Sequence, residues 1–210
     1  MKKHIGWIAG TTAAVLVAAG AITYAVAEDG SGGSGLSVPS AEGADAGFAR
    51  DMAVHHQQAV EMSYIIRDRT TDTEVRRLAY DIAQTQANQR GMLLGWLDLW
   101  DLPKVSAKPP MSWMGMGDMP ERGDGSLMPG MATDTELKKL GTLNGKQAEI
   151  FYLQLMTDHH KGGIHMAEGC VSKCTVEVEK NLAQGMVDAQ QSELATMKQM
   201  LKERGAKPRD

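Results

Sequence analysis

The chain has little of what most folds and most enzymes are built from. Of its 210 residues only 2 are Cys and 2 are Phe, and all aromatics together make 5%. Val, Ile and Thr are not gathered into alternating runs, which argues against a β-sandwich or barrel. A formal net charge of −4 leaves no basic stripe, so nucleic acid is not expected as a partner. No Ser/His/Asp set, phosphate-binding glycine loop or Cys/His zinc spacing is present. Three residues after Glu61, Glu149, Glu168 and Glu193 come Tyr64, Tyr152, Val171 and Thr196. The Glu-x-x-His pairs of a di-iron bundle enzyme are therefore missing. No catalytic constellation is left, and the expectation is a binding protein rather than an enzyme.

What is abundant is methionine, 15 residues of the 210, and it recurs beside histidine. Met52-Ala53-Val54-His55-His56, followed by Ala59 and Met62, returns as Met156-Thr157-Asp158-His159-His160, followed by Gly163 and Met166. The offset is constant: 159 − 55 = 104 and 166 − 62 = 104. The repeat continues without a gap, Leu78-Ala79 matching Leu182-Ala183, Gln86 matching Gln190, Gln89 facing Glu193 and Leu97 matching Leu201. A helical hairpin cannot bury its apolar stripe alone, so two copies joined by a crossover predict an all-α four-helix bundle. At about 100° per residue, Met52, His55, His56, Ala59, Met62 and Ser63 share one broad face, and so do their counterparts. His165 and Glu61 fall on the opposite face, which makes His165 a solvent histidine.

Neutral imidazole and thioether are the donors that late, soft metals prefer, cuprous copper above all. Adjacent histidines on one helix diverge, so each is expected to pair with a Met of its own helix or with the facing patch. The small residue Ala59 or Gly163 would let a neighbouring helix come close. Gln86 and Gln190, on the inner stripes of their helices, could orient a histidine through its free ring nitrogen. Packed, hydrogen-bonded core histidines in a cell-envelope structural or interaction module are the competing reading. Against it stands the expense of directing four histidines inward unless each finds a partner.

Lys2 and Lys3 precede the uncharged stretch from Ile5 to Ala27, the pattern of an export signal. Ala25-Val26-Ala27 fits a small-x-small cleavage site, and the stretch is also long enough to cross a bilayer. Residues 1–27 thus read as signal peptide or membrane anchor, with the remainder outside the cytoplasm. No Cys stands directly after the apolar stretch, which excludes a lipidated one there. In such a compartment Cys170 and Cys174 fit a short-loop disulfide, a thiolate metal pair being the alternative.

Residues 28–40 form a Gly/Ser tether and 41–205 the duplicated bundle. In the first hairpin, 41–100, a helix to Arg69 is followed by Thr71-Asp72-Thr73-Glu74, read as a capping box for a second helix to about Trp100. In the second, 133–205, Thr133-Asp134-Thr135-Glu136 is another capping box. A helix then restarts at Asn144-Gly145 and runs to about Gly169, and a last one spans about Val176 to Arg204. The linker, 101–132, carries Met111, Met114, Met116, Met119, Met128 and Met131 among Gly and Pro. Exposed there on a mobile loop, these thioethers would be auxiliary ligands for cuprous copper. The alternative is a loop folded over the bundle with its methionines buried.

His55-His56-Gln57-Gln58-Ala59-Val60-Glu61-Met62, together with Met156 to Met166 and Met128-Pro129-Gly130-Met131, resembles the family called domain of unknown function 305. The resemblance spans roughly Ala44 to Arg204. It implies an exported, ferritin-like four-helix bundle associated with copper, some members binding Cu(I) through these positions and supporting copper tolerance. On that basis Met52, His55, His56, Met62, Met156, His159, His160 and Met166 are the expected metal ligands. Copper ions, and a copper transporter or chaperone, are the expected partners.

Overall fold

In a computed structural model of the chain, residues 38–118 and 123–209 are described. The apolar N-terminal segment, most of the Gly/Ser tether and Met119 lie outside them. The described residues form α1 (Ala44–Arg67), α2 (Thr73–Leu99), α3 (Asp134–Thr142), α4 (Gly145–Lys173) and α5 (Glu177–Glu203), with a 3-10 turn at Ser112–Met114. No strand occurs among them. No helix among them is long and apolar enough to cross a membrane.

The sequence repeat reappears as a repeat of burial. The inward residues of α2 are Val75, Ala79, Ile82, Ala83, Gln86, Leu93 and Leu97. Those of α5 include Glu179, Ala183, Met186, Val187, Gln190, Met197 and Leu201, the same positions moved by 104. Both outer helices bury a single stripe, as a 3.6-residue period dictates. Helices α1 and α4 differ: small residues and histidines are covered on nearly every side. They pack against each other at the centre, with α2 against α1 and α5 against α4. The result is a four-helix bundle of two hairpins, with α3 and the crossover laid over it.

Local chemistry sets the ends. Asp72 caps α2, its carboxylate accepting from the Glu74 and Val75 amides. The cap therefore stands one residue later than the Thr71 capping-box reading. Asp72 projects an anionic acceptor at the free amides, a stronger bond than a hydroxyl makes. Thr133 and Glu136 do form the reciprocal capping box of α3. Helix α4 runs past Gly169 to Lys173 because that glycine is not a stop. A Cβ at Gly169 would stand 2.5 Å from the Met114 Cε, so the position admits the crossover.

The crossover is pinned by side chains of α1. The Asp51 carboxylate accepts from the Met111 amide at 2.7 Å and from Trp113 Nε1 at 2.9 Å. Gln58 both donates to the Ala132 carbonyl (2.9 Å) and accepts from its amide (2.7 Å). These bonds fold the described part of the crossover inward, as in the alternative of a loop folded over the bundle, and overturn the exposure expected for Met111, Met114, Met116, Met128 and Met131. Met111, Met128 and Met131 are buried, and Met114 and Met116 are half-buried against the same core. Breaker residues shape the path, while apolar side chains still seek the bundle.

Candidate metal centre

The four histidines of the two patches are completely buried in the middle of the bundle. Two apolar clusters flank this layer. One holds Met52 and Met166 with Met111, Met128, Met131 and Met186. The other holds Met62 and Met156 with Met197 and Met200. The eight residues singled out in the sequence thus divide into a histidine layer and two pairs of methionines, each pair joining one copy to the other.

Within the layer, His55 of α1 stacks on His159 of α4 with ring centroids 3.7 Å apart and planes 32° from parallel. His159 Nε2 lies 2.9 Å from the His55 carbonyl oxygen and donates to it. The outer pair turn the other way: His56 Nε2 meets Gln89 Oε1 at 2.9 Å, and His160 Nε2 meets Glu193 Oε2 at 2.6 Å. The partners that orient these rings are therefore Gln89 and Glu193, and not Gln86 and Gln190 as the stripe position suggested. The repeat had aligned Gln89 with Glu193; the missed signal was their place one turn further along the same helices. Gln86 and Gln190 are buried, yet neither amide oxygen has a protein partner, and nor does the Gln86 nitrogen.

Unsatisfied donors and acceptors concentrate here. Both ring nitrogens of His55 and the Nδ1 atoms of His56, His159 and His160 make no hydrogen bond to the protein. The Pro129 backbone lies close to His55 without hydrogen-bond geometry. Burial holds His55 and His56 down to about 3, with neighbouring histidines adding to the effect. His159 is also well below its usual range, again through burial first and its imidazole neighbours second. Rings kept neutral at physiological pH retain a lone pair for a metal.

A strap covers the layer. Met128-Pro129-Gly130-Met131 presses on α4, where a Cβ at Gly162 would overlap the Pro129 carbonyl oxygen. Gly130, at φ +80°, sits against the Asp158 carbonyl in a conformation that glycine adopts without strain. Gly163 permits the close approach expected of it: a Cβ there would stand 2.5 Å from Gln190 Oε1 of α5. Outside the strap is a basin of about 700 Å³ lined by Met131, Glu136, Asp158, Lys161, His165 and Arg209. Arg209 pairs there with Asp158 at 2.8 Å and with Glu136. His165 is exposed, on the outer face that the helical period gave it. At the far end of α4, Cys170 and Cys174 are joined as a disulfide.

The family model described as domain of unknown function (DUF305) matches residues 45–201. Among solved structures, a DUF305 protein from Streptomyces coelicolor is 71% identical, covers 81% of this chain and 99% of its own, and has a TM-score of 0.76. A DUF305 fragment from Deinococcus radiodurans is 28% identical over 76% of this chain and 96% of its own, with a TM-score of 0.64. CopM in its Cu(I)-bound form shares the fold at 19% identity, over 76% of this chain and 96% of its own, with a TM-score of 0.58. No curated protein matches the chain.

Proposed function

Since this chain belongs to the DUF305 family, we propose that it is an extracytoplasmic copper-binding protein that buffers or passes on Cu(I). It acts as a binding protein, without a catalytic step. The observation that carries the reading is the set of buried, unpartnered imidazole nitrogens at the centre of the bundle. Leaving a buried polar group unmet costs about 1–3 kcal/mol, and several in one layer between methionine clusters fit a soft cation. The imidazoles of His55, His56, His159 and His160 would supply nitrogen donors. Met52, Met166, Met62 and Met156 would supply sulfur, with Met128 and Met131 brought up by the strap. Such a nitrogen and thioether set favours Cu(I) and discriminates against magnesium or calcium.

Two further points support this. CopM, a structure with the same fold, has been seen with Cu(I), with Cu(II) and with silver bound. The Streptomyces coelicolor relative is described as secreted, in keeping with the charged and apolar N-terminal segment read as signal or anchor. A copper transporter or chaperone would be the natural donor or acceptor.

The test is a competition titration with copper held cuprous by ascorbate and the disulfide intact. Tight uptake is expected, with a rise in Tm that grows with free metal. Replacing His55, His56, His159 and His160 together by Ala should abolish both. Unchanged copper stoichiometry in that variant would sink the assignment.

A further inference from the structure

At the turn of the second hairpin, away from the histidine layer, three potential ligands converge. The sulfurs of Cys170 and Cys174 and a carboxylate oxygen of Glu179 all lie within 4.8 Å of one another. Glu179 is completely buried, and neither of its oxygens receives a hydrogen bond from the protein. Burial and the neighbouring Asp45 carboxylate push it up to about 9, so it rests as a neutral carboxyl that a cation beside it would draw into the charged form.

The duplication provides an internal control. At the offset of 104, the first hairpin has Ile66, Thr70 and Val75 where the second has Cys170, Cys174 and Glu179. All three first-copy residues are buried, so apolar packing and one hydroxyl suffice to build this turn. Asp45 is the remaining carboxylate nearby, and it is already engaged. It accepts from the Thr175 and Val176 amides, each at 2.7 Å, and from the Thr175 hydroxyl at 3.1 Å. It therefore fixes the turn that presents Glu179.

We propose that Cys170 and Cys174, once reduced, form with Glu179 a second metal site, suited to a zinc-type divalent cation. Reduction by a dithiol breaks the Cys170–Cys174 bond, forms the S–S bond of the reductant and places one proton on each sulfur. Zinc then displaces those two protons and that of the Glu179 carboxyl to solvent. Two thiolates and a carboxylate supply three ligands of a tetrahedral ion and leave the fourth position to water. The oxygen donor separates this site from one for Cu(I), which gains little from a carboxylate. The disulfide would act as the gate: oxidised it holds no ion, reduced it holds one.

The full chain is titrated with zinc alone against a chromophoric chelator, with and without prior dithiol reduction, and with cobalt(II) as a spectroscopic substitute. One additional equivalent is expected only in the reduced protein, with sulfur-to-cobalt charge-transfer bands. Glu179→Gln should weaken it at least tenfold. The variant Cys170→Ile/Cys174→Thr/Glu179→Val, which carries the first hairpin's own residues, should fold and lose it. The fourfold His→Ala variant should keep it, which separates this site from the copper reading. Equal zinc uptake in both redox forms, or a Glu179→Gln variant that binds as tightly as the parent, would overturn the proposal.

Discussion

At the scale of single residues, the glycines divide by what a methyl group would meet. Gly162→Ala places it on the Pro129 carbonyl. Such overpacking costs about 1–3 kcal/mol, which outweighs the roughly 1 kcal/mol of helix propensity gained over Gly. Gly91, in α2 with nothing near it, keeps the gain, so Gly91→Ala should be stabilised by about 0.5–1 kcal/mol. Urea midpoints of the two variants, moving in opposite directions, check this. The titrating residues give a second prediction. Unfolded, His55 and His56 take up protons near pH 6.5, whereas in the fold they resist until about 3. In that window the unfolded chain binds more protons, so their contribution is intact above pH 6.5 and is lost as pH falls. Glu179 has the opposite sign, since burial first and the Asp45 carboxylate second push it up to about 9. Its contribution is full below about 4.5 and lost as pH rises toward 9. Between 4.5 and 6.5 the two histidines outweigh one carboxyl, and of these three groups Glu179 is the one that changes above 6.5. Metal-free, disulfide-intact protein should thus be most stable near pH 6.5. Glu179→Gln should remove the alkaline decline and leave the acid one; a flat profile from pH 5 to 9 would contradict both assignments.

At the scale of elements, α1 side chains pin the described part of the crossover, Asp51 near its middle and Gln58 at its end. Gln58 alone satisfies both backbone groups of Ala132. Gln58→Ala leaves a buried N–H and C=O unmet, at about 1–3 kcal/mol each. The expected result is a loss of about 2 kcal/mol or more and faster proteolytic cleavage between Gly117 and Met131. If cleavage and stability are both unchanged, the strap is held by something other than this clamp. The outer helices tell the converse story. The buried stripes of α2 and α5 coincide position by position, so their placement was legible from the repeat and the 3.6-residue period. The strap was not legible, because Gly, Pro and Met in a linker carry no period. Its course depends on Asp51 and Gln58, which look like ordinary surface residues of an amphipathic helix.

For the whole molecule, duplication is a requirement of burial. Met62, Ile66, Val75 and Ile82 of the first hairpin share one cluster with Tyr152, Leu155, Met156, Met197 and Leu201 of the second. A fragment of residues 38–100 would expose that surface to water, at about 25 cal/mol per Å². Expressed alone, it should show no cooperative thermal transition by circular dichroism as a monomer. A sharp, concentration-independent melt would show that one hairpin has a sufficient core.

The sequence by itself determined the all-helical duplication, the register of its buried faces, the inward side of the eight Met and His residues and the outward side of His165. These follow from spacing, which a helix converts directly into direction. Only the tertiary structure decided which partner each ring meets: His55 with His159 across the central seam, His56 with Gln89, His160 with Glu193. It also decided that Met111, Met128 and Met131 of the crossover turn inward and that Glu179 reaches the cysteine pair. The physical reason is the same in each case. Periodicity says which way a side chain points, but the distance and crossing of helices far apart in sequence say what it touches.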